Sequence, residues 1–128
     1  MTFRPIIDRK RILFVDDSLH ILHGLAAALR AERERWDMVF ALGGRAGITE
    51  LRQGVFDVVV SDLVMPDVDG REVLATVRRE SPHTIRILLT GSPNTDGIDA
   101  DVILTKPCFA PRLCRVLEDA LIGATSHR

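Results

Sequence analysis

A chain of 128 residues, 46% hydrophobic and 27% charged, has the size and mix of one soluble globular domain and excludes a disordered one. Its formal net charge of −1 gives no general attraction to nucleic acid or to an anionic membrane. Its two cysteines, Cys108 and Cys114, form neither a disulfide framework nor a zinc motif. With no signal peptide and no apolar run of membrane-spanning length, a cytoplasmic location is expected.

The elements alternate. Arg9-Lys10-Arg11 reads as a solvated lead-in to a first strand over 11–15. A helix follows from Ser18, a good N-cap residue, with Leu22, Leu25, Ala26 and Leu29 as its buried stripe and Arg30–Arg35 as its wet end. Trp36–Leu42 is a second strand. Gly43-Gly44 turns into a second helix carrying Ile48 and Leu51, which Gly54 ends. Phe56–Ser61 is a third strand. Asp69-Gly70 opens a third helix with Val73, Leu74 and Val77 inward, stopped at Ser81-Pro82. Strands follow over 84–90 and 102–105, and a last helix over about 110–122 buries Leu113, Val116, Leu117, Ala120 and Leu121. Between the last two strands, Gly91, Pro93, Asn94 and Gly97 leave a fourth helix short, irregular or missing. The pattern predicts an α/β fold, a parallel sheet with helices on both faces, as a single domain over 1–128 with its core at about 9–122.

Chemistry-bearing residues end the apolar runs. Asp16 and Asp17 follow Ile12–Val15, Asp62 follows Val58–Ser61, Thr90 follows Ile85–Leu89, and Lys106 follows Val102–Thr105. In open parallel sheets, ligands bind at this edge of the strands. An acid at the end of a run as apolar as Val58-Val59-Val60 needs a partner or a purpose. Clustered carboxylates form a hard oxygen site suited to Mg²⁺, and without a cation they raise the pKa of at least one member. A carboxylate that attacks phosphorus, acids for a metal, a lysine and a hydroxyl are the parts phosphoryl transfer requires. Asp62 is the candidate nucleophile, and Asp16 and Asp17 are the candidate metal acids.

Four motifs, in order, resemble the receiver domain of two-component response regulators. They are Phe14-Val15-Asp16-Asp17-Ser18, Ser61-Asp62-Leu63-Val64-Met65-Pro66-Asp67-Val68-Asp69-Gly70, Leu88-Leu89-Thr90-Gly91 and Leu104-Thr105-Lys106-Pro107. The resemblance covers about residues 9–122. It implies a flavodoxin-like doubly wound sheet in the order 2-1-3-4-5 and a phosphoryl group accepted on Asp62 from a sensor histidine kinase or phosphotransfer protein. It further implies Mg²⁺ on Asp17, Asp62 and the Val64 carbonyl, with Asp16 assisting through water. Lys106 would contact the phosphoryl group and Thr90 would swing toward it, and the bond matching Lys106-Pro107 is often cis in that family. Such a domain signals to a downstream partner, an output domain or a second copy, and is not a classical enzyme, although it catalyses its own phosphorylation and dephosphorylation. Two departures stand out: Ile103 replaces the usual Tyr or Phe three residues before the lysine, and the segment after Thr90 is short.

Three other readings remain. An aspartyl-phosphate hydrolase of the haloacid dehalogenase type places its second acid two residues after the nucleophile, whereas Asp16 and Asp17 are adjacent. The others are a receiver-fold interaction module with little or no phosphorylation and an N-terminal fragment of a longer response regulator. His20 and His23 read as solvated helix positions, Asp96, Asp99 and Asp101 as a polar loop, and Gly43–Gly47 as a turn without the lysine of a phosphate loop. Cys108 and Phe109 read as packing residues.

Overall fold

Ile12, Leu13, Phe14 and Val15 are at most 2% exposed, so strand β1 (Lys10–Asp16) is covered on both faces. Burial on both faces is the signature of a central strand in a parallel sheet. The computed structural model describes residues 9–126. In it β1 lies between β2 (Trp36–Leu42) and β3 (Val58–Asp62), and β4 (Ile85–Thr90) and β5 (Val102–Thr105) complete a parallel sheet in the order β2-β1-β3-β4-β5. This is the predicted doubly wound order.

Successive side chains of each strand point to opposite faces. Ile12, Phe14, Val58, Val60, Ile87, Leu89 and Leu104 pack against α1 (Leu19–Ala28) and α4 (Ala110–Ser126). Leu13, Val15, Ala41 and Val59 pack against α2 (Gly44–Gln53) and α3 (Gly70–Glu80). Helix α4 presents Leu113, Leu117 and Leu121, spaced by four, to the first of these faces, and Leu113 is 0% exposed. Leu113→Ala is expected to lower stability by about 2–5 kcal/mol, read as a lower denaturant midpoint at unchanged slope.

Helix starts follow local chemistry. The Ser18 hydroxyl accepts from the Ile21 amide at 3.2 Å, and Asp69 accepts from the Glu72 amide at 3.1 Å. Both side chains satisfy amides that a first helical turn leaves open. Gly44 lies so close to the Val68 carbonyl oxygen that a Cβ would collide with it.

Several expectations shift. The third strand begins at Val58 rather than Phe56, and the last helix reaches Ser126 rather than 122. Phe109 is 73% exposed, not core, because it lies in the irregular segment that enters α4 rather than on the helix's buried stripe. Arg11 is not a solvated lead-in residue. It lies in β1, half-buried, paired with Asp37 at 2.8 Å and stacked 4.4 Å from the Phe56 ring centroid. Residues 91–101 form turns and bends and no helix, with Gly97 at a φ of 75°. No described helix is long and apolar enough to cross a membrane.

Candidate functional site

The order of the strands reverses between β1 and β3, and in sheets of this kind ligands bind at the C-terminal edge beside that switch point. Strand register sets what borders it. Val15 pairs with Ser61, Asp62 with Leu89, and Thr90 with Thr105. The residues that end or follow these strands therefore lie side by side: Asp16 and Asp17, Asp62, Thr90 and Lys106.

Asp16, Asp17 and Asp62 each offer a carboxylate oxygen, and these oxygens lie within 4.8 Å of one another. Asp16 is buried, Asp62 half-buried and Asp17 exposed, so the cluster opens to solvent on one side. Lys106 reaches in from the end of β5, with Nζ 3.4 Å from Asp16 Oδ2 and 3.3 Å from Asp62 Oδ1. Its ammonium bridges the two carboxylates. The Lys106-Pro107 bond is cis, as the resemblance implies.

Main-chain amides fix the acids. Asp16 Oδ1 accepts from the Ser18 amide and Asp62 Oδ1 from the Leu63 amide, each at 2.9 Å. Burial pushes the Asp62 carboxyl above its ordinary pKa; Lys106 opposes this and the Asp16 charge adds to it. Thr90 is buried, and its hydroxyl accepts from the Ser92 amide at 3.0 Å.

The loop after β3 carries Val64, which exposes 70% of its surface, while Met65 and Val68 on either side of Pro66-Asp67 are buried and anchor it. Asp67 holds a φ of 69°, which Asp tolerates better than most residues, and pairs with Arg45 at 2.9 Å. Gly70 returns the chain to the site: its amide donates to the Leu63 carbonyl at 2.8 Å, and a Cβ there would collide with the Asp62 carbonyl oxygen.

The structure thus brings Asp16, Asp17, Asp62 and Lys106 together, and strand register places Thr90 at the same sheet edge. His20 and His23 are exposed on α1 and are not part of the acid cluster. Cys108 packs partly against the core beside α4, as expected. Sequence reading missed Arg86, a β4 guanidinium only 5% exposed. It meets Asp99 and Asp101 at 3.3 and 3.6 Å, so those acids form an anchor for residues 91–101 rather than a mere polar loop. The available signal was a cation inside the apolar run Ile85–Leu89, which needs a buried partner. Gly70 was missed as a site residue because its close approach is a tertiary property.

The response regulator receiver domain model matches residues 12–118. The transcriptional regulatory protein TrcR of Mycobacterium tuberculosis is 33% identical over 125 residues, covering 91% of this chain and 47% of TrcR. TcrA of the same organism is 37% identical, covering 76% of this chain and 40% of TcrA. GlrR of Escherichia coli is 32% identical over 86% of this chain and 26% of its own length. The chain therefore spans about half, or less, of the curated relatives it matches. Among solved structures, a CheY-like receiver domain protein from Methanospirillum hungatei superposes with a TM-score of 0.86 at 25% identity, covering 94% of this chain and 99% of that one. Response regulator TrrA from Thermotoga maritima, in complex with Mg²⁺ and BeF, superposes with a TM-score of 0.77 at 27% identity, covering 87% and 98%. With the matched model spanning four-fifths of its length, this chain belongs to the response regulator receiver domain family of two-component signalling.

Proposed function

We propose that this domain accepts a phosphoryl group on Asp62 in a Mg²⁺-dependent reaction and passes the signal on by changing conformation. The carrying observation is the joint placement of three carboxylates, one ammonium and one hydroxyl at a single strand edge. The donor set fits the ion. It is all hard oxygen, gathered from three carboxylates within 4.8 Å of one another, the donor type Mg²⁺ prefers. Asp17, Asp62 and the Val64 carbonyl would hold it, with Asp16 assisting through water. Bound there, Mg²⁺ neutralises charge on the phosphoryl oxygens.

The chain's own groups do the rest. The Leu63 amide and Lys106 hold Asp62 Oδ1, which fixes the plane of the carboxylate. An Asp62 oxygen forms the new O–P bond as the P–N bond of a phosphohistidine breaks, and the imidazole nitrogen leaves with the bonding pair. Lys106 supplies a fixed positive charge to the transferred group. Thr90, after rotation of its side chain, supplies a hydroxyl donor. The resulting acyl phosphate is a covalent signal rather than a released product, so the domain is a phosphoacceptor and not a classical enzyme.

The surroundings suit a protein donor, a sensor histidine kinase or phosphotransfer protein. Leu19, Leu42, Val64 and Phe109 follow or end β1, β2, β3 and β5 on the site's side of the sheet, and each is at least 50% exposed. Apolar side chains left in water around a polar crevice mark a surface for protein contact. The curated relatives are transcriptional regulatory proteins longer than this chain, and a downstream output domain or partner is proposed by analogy with them.

The test uses acetyl phosphate as donor. Incubation with it and Mg²⁺ is expected to add one phosphoryl mass to the intact chain, and chelation of the metal to prevent this. Asp62→Asn is expected to remove the adduct. An adduct of the same yield on Asp62→Asn would refute the assignment.

A further inference from the structure

We propose that the groove between α1 and β2 binds a nucleoside di- or triphosphate, with its phosphates on Arg9, Arg30 and Arg33 and its base against Phe40. The groove has a volume of about 420 Å³. Its cationic end lies where the strands begin, at the opposite edge of the sheet from Asp62, so the proposal does not depend on the phosphoacceptor reading.

Short side chains open the groove. The chain leaves α1 at Ala28 and enters β2 at Trp36, so α1 runs back along the strands and ends beside the start of β2. His23, Ala26 and Ala27 are spaced three and four apart and share one side of α1. Trp36, Met38 and Phe40 alternate along β2 and face the α1 side of the sheet. The two alanines are too short to close the space over Met38 and Phe40, and all four residues line it. Because β2 is the outermost strand, no further strand walls the groove off.

One end is cationic. Lys10 pairs with Trp36 in the strand register, which puts Arg9 beside the start of β2. The Arg9 guanidinium donates to the Arg33 carbonyl at 2.7 Å and is held against the short 3₁₀ turn Arg30–Glu32. Among the described residues, none of Arg9, Arg30 and Arg33 has a carboxylate within ion-pair distance, whereas Arg35, Arg45, Arg52, Arg78 and Arg86 each face one. Asp37 is the acid in the lining, and Arg11 pairs with it at 2.8 Å. A cluster of like charges without counter-charge attracts an anion. One carboxylate would offset one guanidinium. A phosphate carries about −1.5 to −2 at neutral pH, so a diphosphate matches all three, and the planar guanidinium fork suits its oxygens.

The other end is aromatic. Phe40 stacks on buried Phe14 with ring centroids 5.0 Å and planes 9° apart. One face of its ring is therefore covered, and the half-buried ring meets the groove with what remains. A planar base stacks on such a surface. The groove is open to water along one side, which leaves the polar edges of a base hydrated but would not enclose an acyl chain. From Trp36 to Phe40 the strand advances about 13 Å, enough to seat phosphates at one end and a base at the other.

The test is calorimetry of the intact chain without Mg²⁺, titrated with ADP, GDP, UDP, inorganic pyrophosphate or adenosine. Trp36, the chain's only tryptophan, lines the groove, and its fluorescence locates the binding. The best of the three nucleotides is expected to bind saturably, to change the Trp36 emission, and to bind roughly tenfold or more tightly than pyrophosphate or adenosine. The double change Arg30→Gln with Arg33→Gln, at two exposed positions, is expected to weaken it by at least about tenfold. Ala27→Leu, which narrows the groove and keeps the arginines, is expected to weaken the nucleotide but not pyrophosphate. No saturable binding at millimolar nucleotide would overturn the proposal, as would pyrophosphate binding as tightly as the nucleotide. Affinity unchanged by the arginine pair would place the ligand elsewhere and overturn it too. Polyglutamate binding as tightly as the nucleotide would overturn it in favour of an acidic protein partner.

Discussion

Mg²⁺ at one hundred times its dissociation constant is expected to stabilise the wild-type chain by about 2.7 kcal/mol, a rise in thermal midpoint of roughly 10 °C for a domain of this size. The gain comes from neutralising three carboxylates whose oxygens sit within 4.8 Å, which Lys106 alone does only in part. Asp17→Asn removes one charge from the cluster and one ligand from the ion. It is therefore expected to raise the midpoint without metal and to abolish most of the Mg²⁺ gain. The pH dependence follows from Asp62, whose folded pKa is raised chiefly by burial. A carboxyl raised in the folded state binds its proton more tightly there than in the unfolded chain. Its ionisation thus costs stability, a cost absent below the unfolded range of Asp and fully present once pH has risen through the raised value. Metal reverses the trend, because Mg²⁺ needs the ionised form and its stabilisation shrinks as pH falls through that value. Midpoints that are unchanged by Mg²⁺ at neutral pH would show that the acids do not form a metal site.

Gly70→Ala is expected to cost about 3 kcal/mol and to slow phosphoryl acceptance by one to two orders of magnitude. The new Cβ would strike the Asp62 carbonyl oxygen and lie 2.8 Å from the Leu63 Cα. Neither neighbour is the flexible tip of a side chain, so the backbone that carries Asp62 and donates the Leu63 amide must shift. Positioning errors of about an ångström are felt strongly at a reacting centre. Gly24→Ala is the contrast. A Cβ there meets nothing within 4 Å on an exposed stretch of α1, and the change is expected to stabilise by about 0.5–1 kcal/mol. Urea midpoints and initial rates of acetyl phosphate labelling on both variants check the pair. A Gly70→Ala chain as stable and as fast as Gly24→Ala would show that the approach of α3 to Asp62 is not tight.

The alternation of elements follows from the order of residues along the chain, and through it the edge at which the chemistry collects. Apolar runs such as Ile12–Val15 and Val58–Val60 need cover on both faces, and helical stripes such as Leu113, Leu117 and Leu121 supply it, so strand ends carrying Asp16, Asp62, Thr90 and Lys106 follow from periodicity alone. Local chemistry likewise set the helix starts at Ser18 and Asp69, because a cap needs only the next three residues.

Other features depend on partners distant in sequence and exist only in the folded chain. Arg11 and Arg86 are charges beside or within apolar runs, and each is placed by a carboxylate supplied from elsewhere, Asp37 for one and Asp99 with Asp101 for the other. Phe109, by composition a core residue, is left in water because it falls in the segment entering α4, before the helix's buried stripe begins. That Lys106 bridges Asp16 and Asp62, 90 residues from the former, depends on the register of five strands, which no short window of sequence contains. The helix missing before β5 was legible as a run of glycines, proline and asparagine. Its replacement by an irregular segment anchored on Arg86 was not, because contacts of that kind exist only once β4 and the segment lie side by side.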